Sequence, residues 1–287
     1  MMIKGTTGVL GLIGNPVGHS LSPIIHNEIA KDMGLDVAYV TFKVEDDVDV
    51  AVKGAYALGI KGLNVTVPHK EKVIDSLVMI DELAKKIGAV NTLVPVSNGY
   101  KGYNTDIIGI DRELCEANID VKHKTVVLLG AGGACRAIAM LMSNKGISHM
   151  YILNRTIDKA FAIKDALNEH MNYTNVTVLK PEEFYKIEEK DYIVIQTSSV
   201  GLYPNIDKAL IEDMRFYDNA MCGVDIIYNP CKTKFMKLME NAGKPAFNGL
   251  RMLIYQAVAS FELWNNVVVP KASVDHVYDM LKKEFER

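Results

Sequence analysis

The run Gly130-Ala131-Gly132-Gly133-Ala134 is the feature that most constrains the fold of this chain. It follows the apolar segment Thr125–Leu129 and leads into a predicted helix at 137–142, and another apolar segment comes at 150–153. In a strand–loop–helix–strand unit, such glycines let the backbone approach a pyrophosphate, and the helix N-terminus receives its charge. The pattern predicts a dinucleotide-binding Rossmann domain, with a coincidental glycine-rich turn as the alternative.

The residues after the next predicted strand indicate which dinucleotide is bound. A site selective for NAD places Asp or Glu near this point to bind the ribose 2′-hydroxyl. This chain instead has Asn154-Arg155-Thr156, with Lys159 one turn later. Because a charge-assisted hydrogen bond contributes about 1.5–3 kcal/mol, we expect NADP to be preferred roughly ten- to a hundredfold or more. The alternative is a surface arginine that binds no ligand.

Strands alternate with helices along the whole chain of 287 residues, which predicts an α/β fold with mainly parallel sheets and two domains. We predict strands at 8–13, 37–42, 62–67, 89–96, 125–129, 150–153, 176–179, 192–195 and 222–226. We predict helices from Ser22 to about Gly34 and at 48–58, 80–87, 106–117, 137–142, 233–241, 250–264 and 274–285.

Composition excludes several classes of function. A net charge of −3 without a basic block argues against nucleic-acid binding, and no apolar run reaches the ~20 residues of a membrane span. The four cysteines are scattered and the seven histidines lack ligand spacing, so neither a disulfide framework nor a metal site is expected. We therefore expect a cytoplasmic protein that acts on a small molecule.

Two serines precede the first predicted helix. Ser22 is a good N-cap residue before Pro23, so it has a structural explanation of its own, whereas Ser20 has none. Two hydroxyl groups beside a helix N-terminus would also suit a carboxylate, because the unpaired N–H groups and the helix dipole favour an anion there.

Four further polar residues have a structural and a functional interpretation each. Lys70 follows a strand that breaks at Pro68 and could be a solvated loop cation, and Asp106 could be only a helix N-cap. Asn91, inside an apolar strand, needs hydrogen-bond partners that are either core groups or a substrate. Gln256, on a helix that is apolar almost all round, is open to the same two interpretations.

Taken together, eight motifs resemble the shikimate dehydrogenase family over nearly the whole length of the chain. They are GNPVGHSLSPIIHN, NVTVPHK, GAVNTL, GYNTDIIG, GAGGACRAI, NRTIDKA, VDIIYNP and NGLRMLIYQA. The resemblance implies a substrate-binding catalytic domain at 1–105, onto which 245–287 folds back. It also implies an NADP-binding Rossmann domain at 106–244 and an active-site cleft between the two. The expected assembly is a monomer or homodimer.

The same resemblance implies roles for single residues. Lys70 and Asp106 would form the catalytic pair that reduces 3-dehydroshikimate with NADPH, with the lysine donating a proton to the developing alkoxide. The implied substrate contacts are Ser20, Ser22 and Tyr228 for the carboxylate and Asn64, Thr66, Asn91, Asp106 and Gln256 for the hydroxyls. The implied cofactor contacts are Gly130, Ala131, Gly132, Gly133, Ala134, Asn154, Arg155, Thr156, Lys159 and Gly249.

Two departures and three rival functions accompany the resemblance. Arg251 and Ser198 differ from the residues that are usual in the family and would lie near the nicotinamide or the cleft wall. The rivals are a dual quinate/shikimate dehydrogenase that uses NAD or NADP, a methylenetetrahydrofolate dehydrogenase, and a non-catalytic NADP-binding sensor. Paired serines disfavour a folate, and the presence of both Lys70 and Asp106 disfavours a sensor.

Overall fold

The computed structural model describes residues 3–285, which divide into two compact units. The first unit extends to Gly109 and includes Ile254–Leu281, and the second comprises Ile110–Leu253 with the residues after Leu281. The first two breaks fall slightly later in the chain than the limits 106–244 that the resemblance implies, and the third, after Leu281, falls within the segment 245–287 that was expected to belong to the first domain. All three breaks lie inside continuous helices, so no loop in the sequence marks them.

The sheet of the first unit has the strand order β2-β1-β3-β5-β6-β4. Strand β1 is parallel to β2 and β3, and β4 is parallel to β6, whereas the β3–β5 and β5–β6 pairs are antiparallel. The sheet is therefore mixed rather than mainly parallel. Its strands are β1 (Gly8–Gly14), β2 (Val37–Lys43), β3 (Gly62–Val65), β4 (Met79–Ile80), β5 (Thr92–Val96) and β6 (Gly99–Tyr103).

The hairpin between β5 and β6 explains the main error in the predicted sheet. The sequence patterns predict no strand between 96 and 125, but Gly99–Tyr103 forms a strand that returns along β5. Asn98 and Gly99 have φ angles of 69° and 155°, which suits a tight hairpin turn. The Asn-Gly pair between two apolar segments is the sequence signal for this turn.

The helices of the first unit pack on a core that includes Leu63, Val65, Leu93 and Tyr100. Helix α3 has clear end signals, because the Asp81 carboxylate accepts the Leu83 N–H at its start and Gly88 follows its end at φ 72°. The helices that begin in this unit before the first break are α1 (Ser22–Asp32), α2 (Val48–Ala57), α3 (Glu82–Ile87) and α4 (Asp106–Glu116).

The second unit contains a fully parallel sheet, as predicted, in the order β12-β11-β10-β7-β8-β9. The chain order reverses between β7 and β10, which is the switch point where open α/β sheets bind ligands. Its strands are β7 (Thr125–Leu129), β8 (His149–Leu153), β9 (Val176–Leu179), β10 (Tyr192–Gln196), β11 (Ala220–Asp225) and β12 (Ala246–Phe247).

The remaining helices are α5 (Gly133–Asn144), α6 (Ile157–Met171), α7 (Met214–Asp218), α8 (Lys234–Asn241), α9 (Leu250–Asn265) and α10 (Lys271–Phe285). The two-domain α/β prediction is confirmed, and most predicted elements end within a few residues of the observed ones. The short elements β4, β12 and α7 were not predicted, and neither were strand β6 and helix α6. Within residues 3–285, no helix is both long and apolar enough to cross a membrane.

Candidate active site

Lys70 lies on a short turn after β3. The turn is fixed to the sheet, since the Thr66 N–H donates to Ile13 O at 3.0 Å and the Val90 N–H donates to Lys70 O at 2.8 Å. The Lys70 side chain is not solvated freely. Its Nζ donates to Asp106 Oδ2 at 2.7 Å, and the two side chains are 32% and 24% exposed. Part of this ion pair therefore remains open to a ligand.

Asp106 is the first residue of α4, but its carboxylate does not cap the helix. Oδ2 accepts the Lys70 bond and Oδ1 accepts a bond from Asn91 Nδ2 at 2.9 Å. The Asp106 N–H is taken by Asn104 Oδ1 at 3.1 Å. The alternative that Asp106 serves only as an N-cap is therefore wrong, and its two oxygens bind two side chains.

Asn91 is almost fully buried, and three donors surround its oxygen. Oδ1 accepts bonds from the Thr105 N–H at 2.7 Å, the Thr105 hydroxyl at 3.1 Å and the Thr92 hydroxyl at 3.0 Å. Nδ2 carries two protons, of which Asp106 takes one. The other has no acceptor among residues 3–285, so Asn91 is a core hydrogen-bonder that keeps one donor for a ligand.

Asn64 and Thr66, both placed by β3, differ in the groups they leave free. Asn64 Oδ1 accepts the Tyr39 hydroxyl at 2.8 Å, and its Nδ2 lies 3.0–3.1 Å from Asn91 O, Thr92 Oγ1 and Ser260 Oγ. Thr66 is half-buried, with its methyl group against Gly14. Its hydroxyl has no hydrogen-bond partner in the described part of the chain, so Thr66 is the one better placed to bind a ligand.

At the start of the first helix, Ser20 has the structural role that was expected of Ser22. Helix α1 begins at Ser22, with Leu21 as N-cap and no side-chain cap, so the prediction of Ser22 as N-cap is wrong. Instead the Ser22 N–H donates to Ser20 Oγ at 3.2 Å. The physical reason is that Leu21 adopts a helical conformation, φ −82° and ψ −10°, which leaves the hydroxyl of Ser20 to close the turn.

Gln256 lies on the part of α9 that belongs to the first unit. The Trp264 indole fixes this part of the helix by donating to Leu93 O at 2.9 Å. Ser260, one turn after Gln256, reaches Thr92 Oγ1 at 2.8 Å and Thr105 Oγ1 at 3.1 Å. Sequence reasoning did not single out Thr92, Thr105 or Ser260. The sequence did offer a signal for each: Thr92 and Thr105 are direct neighbours of the predicted site residues Asn91 and Asp106, and Ser260 lies one helical turn after Gln256.

The glycine run joins β7 to α5 at the switch point. Gly130 has φ 113°, and a Cβ there would lie 2.9 Å from Ser198 N, so both conformation and space require glycine. A Cβ on Gly132 or Gly133 would meet no atom within 4 Å. Helix α5 begins at Gly133, earlier than the predicted 137. The first N–H groups of the helix have no acceptor within it, and the space beside the two glycines is open, which fits a bound pyrophosphate.

Cations follow β8, as expected. Arg155 and Lys159 are exposed, and neither charged group has a partner in the described chain, whereas Asn154 Nδ2 donates to Thr156 O at 2.7 Å. Arg155 lines two cavities of about 320 and 300 Å³. Both are also lined by Glu212, an acid that sequence reasoning did not place near this position.

The last predicted contacts belong to the second unit. The ring of Tyr228 packs against Phe285 at 5.9 Å between centroids, and burial raises the pKa of its hydroxyl. A Cβ on Gly249 would lie 2.2 Å from Ile226 O, so only glycine allows this backbone approach. The guanidinium of Arg251 bonds Glu116 Oε1 at 3.0 Å.

Comparisons with known proteins identify the family. A family description "Shikimate dehydrogenase substrate binding domain" matches residues 12–93, "Shikimate / quinate 5-dehydrogenase" matches 113–230, and "Shikimate 5'-dehydrogenase C-terminal domain" matches 249–276. A shikimate dehydrogenase (NADP(+)) of Caldanaerobacter subterraneus subsp. tengcongensis is 41% identical over 99% of this chain and 100% of its own. The chain belongs to the shikimate dehydrogenase family.

Two further relatives agree with this assignment. A shikimate dehydrogenase (NADP(+)) of Bacillus subtilis is 41% identical over 88% of this chain and 90% of its own. A crystal structure of a shikimate dehydrogenase in complex with NADP+ superimposes with a TM-score of 0.90, at 37% identity over 97% of each chain. The family resemblance predicted from the motifs is thus confirmed.

Proposed function

We propose that this protein catalyses the reversible, NADP-dependent reduction of 3-dehydroshikimate to shikimate in chorismate and aromatic amino acid biosynthesis. The observation that carries the proposal is the Lys70–Asp106 ion pair, 2.7 Å long and partly exposed, with Asn91 on the second carboxylate oxygen. We also propose that the enzyme acts in the cytoplasm, as a monomer or homodimer. None of its four cysteines forms a disulfide, which suits a reducing compartment.

The chemistry requires a proton donor at the carbonyl oxygen of the substrate. Bound NADPH supplies the hydride to the carbonyl carbon. The Lys70 ammonium stabilises the negative charge that develops on the oxygen and donates a proton to it. Asp106 holds the ammonium by its Oδ2, and Asn91 holds Asp106 by its Oδ1. In the reverse direction, neutral Lys70 accepts the hydroxyl proton.

The proposed substrate and cofactor contacts are the roles that the family resemblance implies. We propose that Ser20, Ser22 and Tyr228 bind the carboxylate, and that Thr66, Gln256 and the free Asn91 proton bind ring hydroxyls. Asn64 would have to exchange a protein hydrogen bond for one to the substrate. The run 130–134 would hold the pyrophosphate at the α5 N-terminus. Asn154, Arg155, Thr156 and Lys159 would hold the 2′-phosphate end, and Gly249 would lie near the nicotinamide.

The test is the initial rate of nicotinamide reduction with shikimate or quinate, each paired with NADP⁺ or NAD⁺. We expect activity mainly with shikimate and NADP⁺. Comparable rates with quinate and NAD⁺ would indicate the dual-specificity enzyme instead. Folded protein that binds NADP⁺ without activity in any pairing would indicate a sensor.

Lys70→Ala tests the catalytic assignment directly. We expect it to keep the fold and NADP⁺ binding and to lower turnover by at least ~10²–10⁴, because the proton donor is lost. Exposed Lys237→Ala is the matched control, and it should retain full activity. Unchanged turnover in Lys70→Ala would remove Lys70 from the mechanism.

A further inference from the structure

Three buried hydroxyl groups form a cluster beside Asn91. The hydroxyl cluster consists of Thr92, Thr105 and Ser260, each with 0% exposure. Its three oxygens lie 2.8 Å (Thr92–Ser260), 3.0 Å (Thr92–Thr105) and 3.1 Å (Thr105–Ser260) apart. Such a closed set of hydroxyls, out of contact with solvent, can direct its protons only at protein acceptors.

The acceptor that two members of the cluster share is Asn91 Oδ1. Both threonine hydroxyls donate to it, and the Thr105 N–H adds a third bond. With its oxygen surrounded by donors, the amide has one favourable orientation, in which Nδ2 faces Asp106 Oδ1 at 2.9 Å. A flipped amide would turn its oxygen toward the carboxylate, where two acceptors repel.

Ser260 connects this group to the helix that carries Gln256. Its Oγ accepts a bond from Asn64 Nδ2 at 3.0 Å, and its single proton is shared between two acceptors, Thr92 Oγ1 at 2.8 Å and Gln256 O at 3.0 Å. Because the Thr92 hydroxyl gives its own proton to Asn91 Oδ1, the 2.8 Å contact between Thr92 and Ser260 requires the proton of Ser260. Without that donor, the buried Thr92 oxygen would lose a partner, and the Thr92 hydroxyl would be free to turn away from Asn91.

We propose that Ser260 is a positioning residue for the catalytic pair: through Thr92, its hydroxyl fixes the Asn91 amide that holds Asp106 against Lys70. The proposal rests on the proposed function for its kinetic consequence. Its geometric part, the orientation of Asn91, does not depend on which substrate is used.

The test compares Ser260→Ala with Ser273→Ala, a buried serine of the same unit whose hydroxyl has no hydrogen bond within residues 3–285. We expect Ser260→Ala to lower kcat for shikimate oxidation roughly 10- to 100-fold, since small misplacements of reacting groups cost that much. The KM for NADP⁺ should stay unchanged, and Ser273→Ala should match the parent enzyme. A kcat of Ser260→Ala within twofold of the parent would overturn the proposal.

A second comparison separates positioning from general loss of stability. Residues that act as one unit are non-additive, so Ser260→Ala should cost little further activity in the Lys70→Ala background. An equal loss in both backgrounds would contradict positioning. If Ser260→Ala does not fold, Thr92→Val should lose activity and Thr92→Ser should keep it. Equal activity of those two variants would overturn the proposal.

The Asn91 side-chain amide signals in ¹⁵N–¹H spectra, assigned with Asn91→Asp, provide a readout without catalysis. We expect them to move in Ser260→Ala and to stay in place in Ser273→Ala. If the parent enzyme fails to oxidise shikimate, the proposed function falls, while these signals still decide the positioning role. Unchanged Asn91 signals in Ser260→Ala would refute it.

Discussion

Replacing Arg155 with alanine should remove most of the preference for NADP over NAD without harming the fold. The guanidinium of Arg155 is exposed and has no partner in the described chain, so its removal breaks no hydrogen bond of the unliganded protein. The contribution of Arg155 to the free energy of cofactor binding should therefore be seen only when a 2′-phosphate is bound. NAD lacks that phosphate and provides the internal control.

The expected size follows from the type of bond. A charge-assisted hydrogen bond contributes about 1.5–3 kcal/mol, and each 1.4 kcal/mol corresponds to about tenfold in affinity. We therefore expect the KM for NADP⁺ to rise roughly 10- to 100-fold in Arg155→Ala, with the KM for NAD⁺ within about twofold. Because Arg155 is exposed, added salt should reduce the difference between the parent enzyme and the variant.

The assay is steady-state shikimate oxidation at saturating shikimate, with each cofactor titrated at low and at high ionic strength. Lys237→Ala, an exposed cation of the same unit, controls for the loss of a positive charge. A parallel rise in the KM for NAD⁺ would show that Arg155 contacts a part common to both cofactors. An unchanged KM for NADP⁺ would refute the reasoning altogether.

Three other substitutions test the site and its support. Thr66→Val removes a hydroxyl that has no protein partner, so it should raise the KM for shikimate about 3- to 10-fold at unchanged melting temperature; an unchanged KM would exclude that contact. Gly249→Ala places a Cβ 2.2 Å from Ile226 O and should lower the melting temperature by several degrees, whereas Gly54→Ala in open space on α2 should not. Burial raises the pKa of Glu113 from 4.5 to about 8. The folded state then binds the extra proton, so parent stability falls as pH rises from about 4.5 to 8. Glu113→Gln should therefore gain stability over the parent between pH 5 and pH 8, by up to about 1 kcal/mol per pH unit in urea unfolding. A constant difference would refute the shift.

Local patterns predicted the second unit better than the first. A parallel sheet needs helical crossovers, and these alternate visibly with apolar strands in the sequence. The glycine run then locates the switch point, because only glycine satisfies the positive φ and the close approach at Gly130. In the first unit, the hairpin at Asn98 and the antiparallel pairing of β3 with β5 make the sheet mixed. The hydrogen bond from Ser22 to Ser20 depends on the conformation of one residue, Leu21.

The hydroxyl cluster that holds Asn91 beside the catalytic pair could not be predicted from sequence patterns, for a different reason. Lys70, Asn91 and Asp106 stand at a strand end, inside a strand and at a helix start, where polar side chains draw attention, and the family resemblance then implied their roles. Ser260 stands in an apolar helix, where a single serine looks neutral, and it meets Thr92 only because the chain returns to the first unit after Leu253. Contacts between residues so far apart in sequence depend on the packing of whole units, which hydrophobic periodicity does not encode. The orientation of the Asn91 amide, and with it the place of Asp106, is therefore a property of the fold and not of a motif.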